Sequence, residues 1–244
     1  MKKGRVLVCG DVHGSHKALL QVLERSGFDN DSDKIIFLGD LVDGWGQSME
    51  VIKEIQRIDN KVVIMGNHDD WMYGFLRYGI APTQWVNQGG DATLKSFLKG
   101  VEGSENQEAF KDDLISFFDD TVYYHVENER LFVHGGINWH LDVDKQMVTN
   151  LMWDRHLWST AQMWEGYTPK PVVKAYNEVF VGHTSTCYNH SGQLIGIEPQ
   201  HASNVWNLDQ GCGWEGVLTL MCVETKQFWQ SDYSKDLYPN EKGR

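Results

Sequence analysis

Five short apolar runs constrain this chain more than any other feature: RVLVCG (5–10), KIIFLGD (34–40), KVVIMGN (61–67), RLFVHGG (130–136) and EVFVGHT (178–184). Each is rich in Val, Ile, Leu or Phe and lacks polar alternation, the pattern of strands buried on both faces. Each also ends alike. The first delivers Asp11 and His13, the second Asp40 and Asp43, the third Asn67 and His68, the fourth His134 and the fifth His183, with glycine close by. Polar side chains at the end of a buried strand cost desolvation energy unless a partner offsets it. One such ending is an ordinary turn; five imply a shared partner.

The linkers set the fold class. Ser15 is expected to cap a helix with Leu19, Leu20, Val22 and Leu23 on its apolar face, ended by Gly27. QSMEVIKEIQRI places Met49, Ile52, Ile55 and Ile58 at helical spacing. Strand–helix–strand–helix–strand reads as βαβαβ, hence an α/β protein with a mainly parallel sheet. Residues 70–120 read as helices making an excursion over that sheet, within a single domain over 1–244, since no Pro/Ser-rich linker flanks them. Residues 204–231 read as antiparallel strands, and the tail DYSKDLYPNEKGR as polar and frayed.

Composition narrows the partners. The chain has 244 residues, 41% hydrophobic and 23% charged, enough for a sizeable core. With 22 Lys plus Arg against 34 Asp plus Glu, its formal charge is −12, which argues against a broad nucleic-acid face. Cys9, Cys187, Cys212 and Cys222 form no CxxC and read as free thiols in a reducing cytoplasm. The basic start MKKGRVLVCGD has too short an apolar run for a signal peptide, and no run reaches the ~20 apolar residues of a membrane span. A cytoplasmic location is expected.

In open α/β sheets, sites form beyond the carboxyl ends of the strands, so the five endings should converge. Asp11, His13, Asp40, Asn67, His134 and His183 make an oxygen/nitrogen donor set without thiolate. That set suits Mn²⁺, with Fe and Zn²⁺ as alternatives, and fits Ca²⁺ poorly. Six donors are too many for one ion that keeps open positions. Sharing one bridging carboxylate, they suit two divalent ions roughly 3.5–4 Å apart. Two such ions against Asp11 and Asp40 leave a local charge of about +2, which favours a phosphorylated substrate even on an acidic protein.

These motifs carry a family resemblance. GDVHG (10–14), GDLVD (39–43), GNHD (66–69), HGG (134–136) and GHT (182–184) resemble the calcineurin-like metallophosphoesterases. Within that superfamily they look closest to bacterial and bacteriophage-type serine/threonine protein phosphatases and diadenosine tetraphosphatase relatives. GGDATLKSF (89–97), LMWDR (151–155) and NLDQGCGWEGVLTL (207–220) extend the likeness over roughly residues 5–225. Any one motif is weak; their order and spacing together are specific.

The resemblance implies a β-sandwich of mixed sheets built from βαβαβ units, flanked by helices, with a dimetal site at the strand C-terminal ends. It implies that Asp11, His13 and bridging Asp40 hold one metal, and that Asp40, Asn67, His134 and His183 hold the other. Hydroxide between the metals would attack phosphorus, His68 would protonate the leaving group and Asp43 would orient His68. Arg155, with Asn67, would bind substrate phosphate. Asp209 matches a position whose role stays open.

One departure stands out. Related sequences read GDxxDRG, with a phosphate-clamping arginine, whereas residues 43–46 here are Asp-Gly-Trp-Gly. Arg77 is one candidate replacement, and Trp45 is expected to form a flat apolar wall for the leaving group. Asp69 and Asp70 read as helix-start caps. His16, His125, His140, His156, His190 and His201 read as surface or structural residues.

The leading functional reading is a two-metal phosphomonoesterase of serine/threonine protein phosphatase type. The alternative is a dinucleoside polyphosphate or nucleotide hydrolase, and a reading of another class is a catalytically weak phosphate-binding module. The complete donor set with His68 and Asp43 argues against the last.

Overall fold

The apolar runs are strands, but they divide between two sheets. A computed structural model describes residues 4–167, 170–188 and 196–244; His190 lies outside the described residues. In the first sheet, β1 (Val6–Cys9), β2 (Lys34–Phe37) and β3 (Lys61–Val63) pair in parallel. The second contains β4 (Tyr124–Glu127), β5 (Arg130–Val133), β6 (Glu178–Val181), β7 (Gln200–Ala202) and β8 (Val205–Asn207) in the order β4-β5-β6-β8-β7. The first sheet is completed by β9 (Thr219–Cys222) and β10 (Phe228–Gln230), giving β10-β9-β1-β2-β3.

The βαβαβ reading holds for β1 to β3, and the two mixed sheets flanked by helices form the sandwich that the resemblance implies. The antiparallel reading of 204–231 holds for β9 with β10 and for β8 with β7, but these strands split between the sheets. Strand β8 runs parallel to β6, while β9 and β10 pair antiparallel in the other sheet. Apolar runs without alternation report burial on both faces; they do not report which neighbour covers each face.

The coverage follows the period of two along each strand. Val8, Ile36, Phe132 and Phe180 point between the sheets into one cluster with Leu38, Ile64 and Met221. Phe132 and Phe180 stack there with centroids 4.9 Å apart. The intervening residues of β1 and β2, Leu7, Cys9, Ile35 and Phe37, face the helices outside the first sheet. Leu131, Val133, Val179 and Val181 face those outside the second. A strand covered by a sheet on one side and helices on the other has no polar face to show.

On the first side lie α1 (His16–Ser26), α2 (Ser48–Gln56), α3 (Asn67–Tyr78), α4 (Thr83–Trp85), α5 (Asp91–Glu102) and α6 (Gln107–Asp119). On the second lie α7 (Val148–Trp153) and α8 (His156–Tyr167). The helical excursion is therefore α3 to α6, packed through Met72, Leu76, Leu114 and Phe118 into the same core as β1 and β2. Gly27 ends α1 in the left-handed conformation, φ +58°. Ser15 makes no cap bond to α1, contrary to expectation: its backbone is turned away from the usual cap geometry.

The tail also differs from expectation. After α9 (Ser234–Leu237), Tyr238 is buried; its hydroxyl donates to Gln47 Oε1 at 2.7 Å and accepts from Lys17 N at 3.0 Å. Glu241 Oε2 accepts from Gly46 N at 2.7 Å. The segment is polar in composition, yet Tyr238, Glu241 and Arg244 each bond to the rest of the fold. All four cysteines are buried and unpaired. Among the described residues no helix is long and apolar enough to cross a membrane.

Candidate active site

The strand endings converge. Asp11 and His13 follow β1, Asp40 and Asp43 follow β2, Asn67 and His68 open α3 after β3, His134 follows β5, and His183 follows β6. All eight side chains are buried. Four of these residues, His13, Asp40, Asp43 and His183, have φ between +49° and +72°. Such left-handed backbone costs roughly 1–2 kcal/mol per non-glycine residue and persists where the surroundings enforce it. Glycines make the close approach possible. A Cβ on Gly182 would lie 2.1 Å from Asp11 Oδ1, and one on Gly66 would lie 2.2 Å from Asp40 Oδ1.

Asp40 stands at the centre. Its Oδ1 is 3.3 Å from His134 Nε2 and its Oδ2 is 3.6 Å from His13 Nε2, so its two oxygens face two different imidazoles. Donor atoms of Asp11, His13 and Asp40 lie within 4.8 Å of one another, as do those of Asp40, His134 and His183. Asn67 Oδ1 is 3.2 Å from His134 Nε2.

Tautomers follow from the outer partners. His13 Nδ1 faces the Val42 carbonyl at 3.1 Å and His134 Nδ1 faces the Leu38 carbonyl at 2.8 Å. With Nδ1–H donating outward, each ring in its neutral form directs an Nε2 lone pair inward, the arrangement of metal-ligating histidine. Asp40 Oδ2 and His183 Nε2 are buried without a hydrogen-bond partner among the described residues. Acceptor atoms crowded together and left unpaired fit divalent cations between them.

Without cations, protonated histidine supplies the positive charge that the crowded carboxylates require. Burial alone would raise the Asp40 carboxyl, but the charges of His134 and His68 more than offset it and hold it well below the usual range. Burial works against the His134 cation too, yet Asp40 overcomes it and pushes His134 up to about 9. Burial and the nearby His134 push His183 down to about 2. Burial and Asp209 push Asp11 well up. Asp209 accepts from Gly211 N at 2.9 Å and shapes the loop beside Asp11.

A second pair adjoins the cluster. His68 Nδ1 donates to Asp43 Oδ2 at 2.6 Å, while His68 Nε2 is buried with no partner among the described residues. Asp43 also accepts from Trp85 Nε1 at 2.8 Å, and its backbone N–H donates to Thr93 Oγ1 at 2.8 Å. Thr93 belongs to GGDATLKSF, so that motif braces the loop carrying Asp43. Asp69 reaches back to Gly66 N at 3.0 Å and to Leu41 N at 2.8 Å; it is the expected helix-start cap and also ties down the Asp40 loop.

Arg155 lies on the His183 side, donating to the His183 carbonyl at 2.8 Å and to Thr184 Oγ1 at 3.2 Å. It lines an open groove of about 780 Å³ with Trp158, Gln162, Thr186 and Gln200.

Two expectations fail. Trp45 is no wall for substrate: it is buried, donates from Nε1 to the Cys212 carbonyl at 2.6 Å, and stacks on Tyr238 at 5.1 Å. A left-handed turn at Asp43 and Gly44 swings the chain so that the indole points into the core. Arg77 is no clamp: near the far end of α3 it pairs with Asp119 at 2.6 Å.

Aromatic neighbours escaped sequence reasoning. The Trp71 ring packs edge-on against His68 at 5.0 Å, Trp153 packs edge-on against His183 at 5.9 Å, and the two indoles meet at 5.2 Å. Trp71 sits three residues after His68 on α3, a spacing that marks one helix face and could have found it. Trp153 stands two residues before Arg155, with no comparable signal.

A two-layer β core with strand-end Asp, His and Asn around one shared carboxylate defines a metal-dependent phosphoesterase. The family model for calcineurin-like phosphoesterase matches residues 4–197, and the chain belongs to that family of phosphoric ester hydrolases. A named relative is the asymmetrical bis(5'-nucleosyl)-tetraphosphatase PrpE of Oceanobacillus iheyensis, 26% identical over 92% of this chain and 90% of its own. A symmetrical bis(5'-nucleosyl)-tetraphosphatase of Coxiella burnetii is 35% identical over 53% of this chain and 41% of its own. Among solved structures, one titled a diadenosine tetraphosphatase candidate superposes with TM-score 0.65 at 18% identity, covering 95% of both chains, a likeness of fold.

Proposed function

We propose that this chain is a two-metal hydrolase of dinucleoside polyphosphates. One observation carries the two-metal part: the two oxygens of Asp40 face separate imidazoles, at 3.3 and 3.6 Å. Asp11, His13 and Asp40 would hold one divalent ion; Asp40, Asn67, His134 and His183 would hold the other. The donor set favours Mn²⁺, with Fe or Zn²⁺ as alternatives. Bound there, the ions polarise phosphoryl oxygens and lower the pKa of water.

The remaining work falls to side chains. His68 donates its Nε2 proton to the departing phosphate oxygen, and Asp43 fixes the ring and stabilises its protonated form. Arg155 binds phosphate oxygens on the His183 side. Trp71 and Trp153, beside His68 and His183, offer aromatic surface on which a nucleobase can stack. With the tetraphosphatase names of the relatives, that surface reverses the order of preference set by sequence reasoning. The protein-phosphatase reading retains one supporting feature, the open groove beside Arg155, which has room for an extended peptide.

The test is a substrate panel on Mn²⁺-loaded protein: a dinucleoside tetraphosphate, phosphopeptides and an aryl phosphate. The tetraphosphate should give the highest kcat/KM, and Trp71→Ala with Trp153→Ala should raise its KM while sparing the aryl phosphate. Preference for phosphopeptides would reinstate the protein-phosphatase reading. Stoichiometric metal without turnover of any substrate would favour the binding module.

A further inference from the structure

Loop 43–46 supplies no cation to the site, yet a guanidinium occupies the volume above it. The Arg244 backbone N–H donates to the Gly213 carbonyl at 2.8 Å, and its side chain runs inward until Nη1 reaches His13 Nε2 at 2.9 Å. The path is lined by glycine. A Cβ on Gly44 would sit 3.2 Å from Arg244 Cγ, one on Gly89 would sit 3.1 Å from the same atom, and one on Gly213 would sit 3.0 Å from Cδ. Three loops thus leave a slot that the stem of one arginine fills. Trp214 covers the guanidinium at 5.4 Å.

The slot is braced from behind. Buried Trp45 stacks on Tyr238, and a Cβ on Gly243 would meet its ring at 3.0 Å, so the indole expected to face substrate instead supports the tail.

Charge balance at this guanidinium is incomplete. No carboxylate lies within ion-pair distance of Arg244 among the described residues, and its buried Nε has no hydrogen-bond partner. Its acceptor, His13 Nε2, belongs to one of the two candidate metal groups. Cation binding at that nitrogen would take the acceptor away. The guanidinium would then present unpaired N–H donors beside a strongly positive centre, a costly arrangement unless an anion lies between them. A phosphate oxygen pair matches a guanidinium edge in bidentate fashion.

We infer that Arg244 is a substrate-binding residue that clamps phosphate oxygens on the His13 side of the site, opposite Arg155. The inference rests on the two-metal reading above but not on the choice of nucleotide. It gives a polyphosphate chain a cation at each end of the metal cluster.

The experiment compares wild type, Arg244→Ala and Arg244→Lys, each loaded with Mn²⁺. Inorganic phosphate binding is measured by calorimetry, with metal content determined alongside and KM and kcat measured on the best substrate of the panel. Arg244→Ala should weaken phosphate binding and raise KM at least tenfold at unchanged metal content, and Arg244→Lys should recover part of the loss. Unchanged phosphate affinity in Arg244→Ala overturns the inference whatever the substrate proves to be. So does tighter Mn²⁺ binding with higher kcat/KM, which would make Arg244 a plug competing for His13. A wild-type chain that binds phosphate but cleaves no nucleotide overturns the nucleotide reading alone and leaves the clamp supported if Arg244→Ala loses that binding.

Discussion

His68 and Asp43 form a 2.6 Å hydrogen bond with both side chains fully buried, 25 residues apart in the chain. Only His68 Nδ1 is engaged, which leaves Nε2 without a partner among the described residues and open to a leaving group. Replacing His68 by Ala should lower kcat about 10²–10⁴-fold, the usual worth of a positioned acid. Metal content should not change. Asp43→Asn should cost about 10–100-fold, as loss of an orienting partner does. Steady-state kinetics beside elemental analysis checks both; a His68→Ala enzyme with wild-type kcat removes the acid assignment.

Gly182 has no side chain because Asp11 occupies the space. Gly182→Ala should displace the Asp11 carboxylate and weaken Mn²⁺ binding about 10–100-fold. Gly166→Ala, with nothing within 4 Å of its Cβ, is the control and should bind metal normally. Stripping wild type with a chelator should lower its stability, and Mn²⁺ at 100 times its Kd should restore about 2.7 kcal/mol. Calorimetric titration and urea unfolding measure these effects; equal affinity in the two variants counts against the Asp11 site.

Trp45→Ala should destabilise the protein by about 3–5 kcal/mol, the range for emptying a packed Trp site. Trp45→Phe should cost less, because it keeps contact with Tyr238 and loses chiefly the bond to the Cys212 carbonyl. Urea midpoints at constant m-value report the difference. A Trp45→Ala midpoint equal to wild type would mean the tail is not anchored as described.

Asp33 links pH to stability away from the active site. Its carboxylate accepts from Arg5 N at 2.8 Å and from Asp29 N at 3.1 Å, and it also binds the Arg5 guanidinium. Burial opposes its ionisation, but these bonds prevail and hold its pKa below the usual value. A lowered folded pKa means stability that is present above the unfolded value of about 3.9 and lost as pH falls through the folded one. Asp33→Asn should therefore cost about 1–3 kcal/mol at neutral pH, towards the lower end because Arg5 is part exposed. The gap from wild type should close as pH drops below about 4. Unfolding curves at neutral and acid pH decide it; a gap that persists in acid excludes the linkage.

The candidate donors were legible because each follows directly from its own strand. Asp11 lies just past β1 and His183 just past β6, and a run of apolar residues into Gly-Asp or Gly-His is a local signal. Division of the strands between two sheets was not local. Val8 and Phe132 look alike in sequence, and only packing puts them on opposite sides of one interface. Trp45 misled for the same reason: a bulky aromatic in a site loop points to substrate or to core according to the turn beneath it.

The sequence alone determined that five buried strands end in metal-competent side chains, because hydrophobic period and residue chemistry are read from neighbours in the chain. Tertiary structure decided what surrounds that cluster. Asp40 meets His134, 94 residues away, and Arg244 meets His13, 231 residues away, through closures that no nearby residue encodes. Contacts between distant segments depend on how whole layers pack, and that packing energy is summed over the core rather than written at either end of the contact.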